Sequence, residues 1–182
     1  MSNKITFTEY LNKCFTEGKP LFFDGGMGTM IQASGVTGYS IPEDLNFSNA
    51  ELIKGIHRKY LDSGSNVITA NTFGANPIKL GDSKISAESY IAESIKLMKE
   101  AIAECEKDGN DAPHFAAWDS GQIGKLLEPM GSLTFDEAYN AFKELYRIHL
   151  HESFFIVRAK KNLQYRCIKW RRRLPKNVLT DS

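Results

Sequence analysis

The chain has 182 residues, 42% of them hydrophobic and 25% charged, with a net charge of +1. That is enough for one domain with a real hydrophobic core. No apolar run approaches the ~20 residues needed to cross a bilayer, and the polar start, Met1 to Tyr10, lacks the basic-then-apolar pattern of a signal peptide. Cys14, Cys105 and Cys167 form no CxxC pair and suggest no disulfide framework, so a cytoplasmic, reducing compartment is expected.

In chain order, residues 6–18 read as a short amphipathic helix with Tyr10, Leu11, Cys14 and Phe15 on one side and Gly18 as its stop. Leu21, Phe22 and Phe23 form a short apolar run before DGGMGT, the pattern of a buried strand and a loop. Residues 35–47 are a Gly- and Pro-containing loop. Ser48 and Glu51 have the spacing of a capping box, followed by a stripe of Ile53, Ile56 and Tyr60 that Gly64 ends. Asn66–Ala70 is the second expected strand. A helix over about 86–107 carries Ile91, Ile95, Met98 and Ile102 on one face. His114–Trp118 is the third strand, and Thr134 with Glu137 makes a second capping box ahead of a helix striped by Ala138, Phe142 and Leu145. Phe154–Val157 is a candidate fourth strand.

Strands and helices therefore alternate, and the strands are short, apolar and without a period of two. Both of their faces should be buried, as in a parallel sheet of right-handed βαβ units. Strand starts near residues 21, 66 and 114 are spaced so that a closed eight-stranded barrel needs more than roughly 250 residues. The expected fold is α/β: an incomplete TIM-type (β/α)8 barrel, its first three to four βα units.

Three loops follow the strands: DGGMGT, NTFGAN and DSGQIGKLLEPMG. In a parallel barrel that end holds the active site. Glycines there let the backbone approach a ligand and offer N–H donors to a carboxylate, and Asp24 at a strand end suits an ammonium group. Read without further help, this is a small-molecule site with room for an amino acid. Asp24 can equally cap a turn, and Asn71 can be a structural loop residue bonding the backbone.

The segments DGGMGTMIQ, PEDLNFSNAELIKGIHRKYLDSGSNVITANTFGAN and GKLLEPMGSLTFDEAYNAFKE, in this order over residues 20–146, resemble the homocysteine S-methyltransferase family. The likeness is greatest to the homocysteine-binding module of cobalamin-dependent methionine synthases. The resemblance implies methyl transfer to a zinc-bound homocysteine thiolate to give methionine. The metal matters because a free thiol titrates near ~8.5. The donor would be methylcobalamin, remade from methyltetrahydrofolate on separate modules. It also implies substrate contacts from Asp24, Gly25, Gly26, Asn71, Thr72 and Phe73. A relative using betaine or S-methylmethionine as donor is the alternative.

The departures are specific. The family's zinc cysteines come from an asparagine-cysteine turn and a Gly-Gly-Cys-Cys segment, and neither occurs in this sequence. The family glutamate at the end of the fourth strand, in an Ile-Glu-Thr context, has no counterpart in FFIVRAKK. Gln122 and Ile123 stand where the family has a Gly-Pro-Thr-Gly run. No metal ligand and no catalytic residue is therefore assigned, and His57, His114, His149 and His151 have no ligand spacing.

The charge is uneven. Residues 1–157 hold 14 Lys+Arg against 21 Asp+Glu, a balance of −7, whereas residues 158–182 hold 9 Lys+Arg against Asp181, a balance of +8. The family motifs stop near Arg147, so the chain divides into a barrel portion, 1–147, and a basic, non-matching tail, 148–182. A shifted reading frame would produce such an abrupt change, and the expectation is a truncated chain, inactive by itself. A non-catalytic role in which the tail meets a partner or anionic surface is the reading of a different class, with nucleic acid disfavoured. An incomplete sheet also predicts self-association through its edge.

Overall fold

The computed structural model describes residues 5–150 and 157–159. Helix α1 (Phe7–Thr16) starts at Thr6, whose hydroxyl accepts from the Glu9 N–H while the Glu9 carboxylate accepts from the Thr6 N–H. Its expected stripe is narrower than the sequence suggests. Cys14 is buried, but Leu11 is 42% and Phe15 89% exposed, because only one line of the helix meets the sheet. Phe7 and Tyr10 pack on Phe115, Phe7 edge-on at 5.3 Å between ring centroids. Together with Leu21 they cover Val67, Phe115 and Ala117. Helix α1 thus closes the end of the sheet where strands begin.

The Leu21–Phe23 run does not form an extended buried strand. It makes a single parallel bridge, Phe23 to Val67, and Phe22 and Phe23 remain 56% and 41% exposed. Gly26 then caps α2 (Met27–Ala33), a helix in what the sequence presents as loop; only Ile31 of it is buried, too little to give a visible period. The 35–47 loop also contains local structure: a 3-10 turn over Pro42–Asp44 and the one-turn α3 (Leu45–Ser48).

The Ser48 capping box is not made. Ser48 is the last residue of α3, and its hydroxyl donates to the Asp44 carbonyl. Asn49 instead precedes α4 (Ala50–Asp62), without a side-chain cap bond. Of the expected α4 stripe, Ile53 and Ile56 are buried but Tyr60 is only half-buried, and its neighbour Leu61 takes the inner position; Gly64 leaves the helix at φ 96°. His57 is also in that stripe. Strand β1 (Val67–Thr69) is wholly buried. Helix α5 (Pro77–Leu80) is a single turn capped by Asn76, and α6 (Ala87–Lys107) is capped by Ser86. Ile91, Ile95 and Met98 of α6 are inside.

Strand β2 (Phe115–Ser120) runs two residues further than expected, taking in Asp119 and Ser120. Thr134 and Glu137 make the second capping box as read, the carboxylate accepting from the Thr134 N–H at 2.8 Å, and α7 (Phe135–Leu150) follows. Strand β3 is Val157–Ala159; Phe154–Ile156, Cys167, His151 and the rest of the basic tail lie outside the described residues.

Strand β1 pairs parallel with β2, Val67 opposite Phe115, and β2 pairs parallel with β3, Trp118 opposite Val157. With Phe23 beside Val67, consecutive segments are spatial neighbours and all run one way. The architecture is α/β with a parallel sheet, its helices reversing the chain between strands. One core cluster joins Leu61, Ile68, Ala70, Met98, Ala101 and Cys105; another joins Ala75, Tyr90, Ile91, Ile95, Trp118 and Leu145. No described helix is long and apolar enough to cross a membrane.

Candidate functional site

Because the strands are parallel, the chain leaves each one at the same end of the sheet, opposite the end that α1 covers. There the loop after Phe23, the loop after β1 and the 3-10 turn enclose a cavity of about 340 Å³. Asp24, Gly25, Gly26, Asn71, Thr72 and Phe73 all line it. Pro42, Glu43, Thr69, Lys79 and Asp119 line it as well.

Asp24 is 9% exposed. One of its carboxylate oxygens accepts the Thr69 N–H at 2.6 Å and the other accepts the Thr69 hydroxyl at 2.7 Å. These short, charge-assisted bonds lock the carboxylate to β1. A carboxylate has about four lone-pair sites, so the two Thr69 bonds alone do not saturate it. Gly25 lies under Tyr60, whose Oη would be 2.8 Å from a Cβ at that position and donates to the Gly26 carbonyl at 3.3 Å. Burial, and then the Asp24 charge, push the Tyr60 phenol above its ordinary value.

Asn71 is a fastener. Its backbone N–H donates to the buried Ser94 hydroxyl at 2.8 Å, and its side-chain amide donates to the Pro42 carbonyl at 2.9 Å and to Asn46 Oδ1 at 3.0 Å. Asn46 returns a bond to the Asn71 carbonyl at 3.1 Å. The 3-10 turn is thereby tied to the end of β1. Asp44 ties it to α6, accepting from Tyr90 Oη at 2.7 Å and from the Ser40 and Ile41 N–H groups.

Thr72 donates to the Asp119 carbonyl at 3.0 Å, and Asn76 donates to the Gln122 carbonyl at 3.1 Å, stitching the second loop to the third. Gly121 permits this seam: a Cβ there would overlap the Phe73 carbonyl. Asp119, near the end of β2, lines the cavity, while Gln122 and Ile123 of the third loop face a separate open depression with Lys125–Met130, Ala138 and Phe142.

The sequence reading missed Glu43. It is 1% exposed; one oxygen accepts the Gly74 N–H, and Oε2 is buried without a hydrogen-bond partner. Burial pushes its carboxyl above the usual range, against the pull of the Gly74 N–H and the Lys79 charge. Within Pro-Glu-Asp, a glutamate carries the signal of an exposed turn, so only the tertiary contacts could reveal it.

The cavity offers carboxylates, amides, hydroxyls and the Lys79 ammonium. Cys14 and Cys105 are buried on α1 and α6 and do not line it. Among the described residues no cluster of three or more His, Cys, Asp or Glu side chains could hold a metal ion. This donor set does not fit a thiolate-ligated zinc.

The sequence profile of homocysteine S-methyltransferases matches residues 21–160, most of the chain. The chain belongs to the homocysteine S-methyltransferase family. The match runs past Arg147 and includes β3. The methionine synthase of Mycobacterium tuberculosis is 37% identical over 71 residues, 35% of this chain and 6% of that protein. The methionine synthase of Mycobacterium leprae is 35% identical over the same length. Among solved structures, the metallated form of the homocysteine methyltransferase MmuM from Escherichia coli superposes with a TM-score of 0.66 at 15% identity. It covers 81% of this chain and 56% of its own. The apo form of that enzyme gives 0.52 at 18% identity, covering 75% and 47%. These are likenesses of fold. The chain spans about half the length of MmuM and a small fraction of the methionine synthases.

Proposed function

We propose that the cavity binds homocysteine and that the chain is the substrate-binding portion of a methyl-transfer barrel of the methionine synthase type. The observation that carries this is convergence. Six residues from the loops after the first and second strand segments line one cavity in a chain of this family. The local identity to two methionine synthases supports that type over a betaine- or S-methylmethionine-dependent one. The sequential parallel order of Phe23, β1, β2 and β3 supports an incomplete (β/α)8 barrel.

In this reading Asp24 and the backbone around Gly25 and Gly26 hold the amino-acid end, Thr69 and Tyr60 fix Asp24 and the glycine loop, and Asn71 holds the wall opposite. Methylcobalamin, regenerated from methyltetrahydrofolate on other modules, is the proposed donor. Zinc would supply thiolate stabilisation; since the described residues do not offer its ligands, their part is to bind and orient the amino acid. The open edge at Phe22 and Phe23 is the proposed surface for self-association.

The test is titration of L-homocysteine into the full chain, followed by calorimetry and amide chemical shifts. Saturable binding is expected, with shifts at Asp24–Gly26 and Asn71–Phe73 and at least tenfold weakening in Asp24→Ala. No binding at saturating homocysteine, or shifts confined to other surfaces, would refute the proposal.

A further inference from the structure

Among the described residues the sheet is open on both sides, and its two edges differ. On the first side, the Val67 N–H donates to the Phe22 carbonyl and the Asp24 N–H donates to the Val67 carbonyl. Backbone groups alternate sides along a strand. The N–H and carbonyl of Phe23 therefore point outward, and no described residue bonds them. On the far side lies β3. The Phe115 N–H donates to the Asn66 carbonyl and the Ala70 N–H to the Ala117 carbonyl, so Phe115 and Ala117 face β1 while Trp118 and Ser120 face β3. Arg158, opposite Asp119, then turns its backbone groups to β2, and those of Val157 and Ala159 turn outward.

Unpaired groups on a sheet edge are a template for a further strand. Direction, number and register say which strand fits. The Phe23 segment, β1, β2 and β3 all run one way, and these four are half of the eight that close a parallel barrel. Val157 is level with Trp118, hence with Ala70 and, counted on from Phe23 opposite Val67, with position 26 of the first segment. An eight-stranded barrel of this kind shifts by eight residues in a full turn, so by four in half a turn. The strand ends show the sense of the shift. Relative to the level of Phe23, Val67 and Phe115, β1 ends two residues on at Thr69 and β2 five residues on at Ser120. Continued past β3, the trend sets Val157 beside position 22, four back from 26, with Arg158 beside 23 and Ala159 beside 24. In that register the outward groups of Phe23 meet the outward groups of Val157 and Ala159. One copy cannot make this pairing with itself, because its two edges are three strand spacings apart, roughly 14 Å.

We propose that two copies of the chain close one eight-stranded parallel barrel, Phe22–Asp24 of each copy pairing with β3 of the other. The Phe23 N–H donates to the second copy's Val157 carbonyl, and the second copy's Ala159 N–H donates to the Phe23 carbonyl. This rests on the self-association proposed above and names the strand that meets the edge. The two-fold axis runs along the barrel, so both seams form together and no edge is left to propagate. The second copy's Ala159 comes beside Asp24, so the rim of each cavity is shared between copies, and both cavities open on one face.

The experiment uses the full chain with Cys167→Ser, since Cys14 and Cys105 are buried. Phe23→Cys and Arg158→Cys are made separately, checked by thermal melt, mixed and oxidised. Directly opposed residues on paired strands lie within disulfide reach. The mixture should give at least tenfold more disulfide-linked dimer than either variant oxidised alone. Light scattering on the wild-type chain should show a species of twice the chain mass and none larger. A Phe23→Cys variant that links mainly to itself, a fixed dimer whose mixture does not link, or an open series of larger species would overturn the closed barrel while leaving association through the edge in place. A wild-type monomer at every concentration would overturn both. Should either variant fail to fold, the wild-type masses decide: a monomer or an open series overturns the proposal, and a fixed dimer supports it.

Discussion

Acidification should destabilise this chain through His57. His57 is completely buried in the stripe of α4 between Ile53 and Leu61, and neither ring nitrogen has a hydrogen-bond partner. Burial lowers its pKa from 6.5 to about 4. The unfolded chain accepts a proton below 6.5, whereas the folded chain resists it until about 4. Stability is therefore fully present above pH 6.5 and falls as the pH drops toward 4. At about 1.4 kcal/mol per tenfold in proton affinity, the loss across that window is about 3 kcal/mol. That is a large share of the roughly 5–15 kcal/mol that holds a typical domain together. His114, whose pKa burial also lowers, acts in the same direction. Urea denaturation at pH 7, 6, 5 and 4 should show the fall in the wild-type chain and a shallower one in His57→Leu, the difference growing to about 3 kcal/mol by pH 4. Parallel curves for the two proteins, or a His57 imidazole titrating near 6.5 by NMR in the folded chain, would refute the reasoning.

Replacing Gly121 with alanine should cost about 1–3 kcal/mol, because the new methyl must displace the Phe73 carbonyl; thermal melts should fall by several degrees, and an unchanged midpoint would mean the seam between the loops is loose. Thr134→Ala removes the hydroxyl half of the α7 capping box and should cost about 1 kcal/mol in chemical denaturation. A change within error would show that α7 does not depend on its cap. Sedimentation velocity should detect concentration-dependent association through Phe22 and Phe23, reduced in Phe22→Lys, since edge charges oppose strand addition. A monomer at every concentration would remove the exposed edge as an interface.

The long helices were legible because burial repeats along them. Ile53 and Ile56 in α4, and Ile91, Ile95 and Met98 in α6, recur three or four residues apart, and that spacing survives without tertiary information. The same logic failed where elements were short. Helix α2 buries only Ile31, so its seven residues carry no period, and the glycines before it read as loop. Two capping boxes were equally plausible by spacing. Thr134 stands immediately ahead of α7 and makes its box, while Ser48 was taken up as the last residue of α3.

The site divides in the same way. Chain order and local pattern determined that Asp24–Gly26 and Asn71–Phe73 follow parallel strand segments and so open at one end of the sheet, because a parallel strand can leave only at its own C-terminal end. What each side chain does there depended on contacts distant in sequence. Asn71 became a fastener through Pro42 and Asn46, and Asp24 was bound by Thr69. Glu43 became a buried, unsatisfied carboxylate only because Gly74, thirty-one residues away, closes over it. Sequence determines periodicity and order, which are local properties of the chain; burial and partnership of a polar side chain are set by whichever segments the fold brings against it.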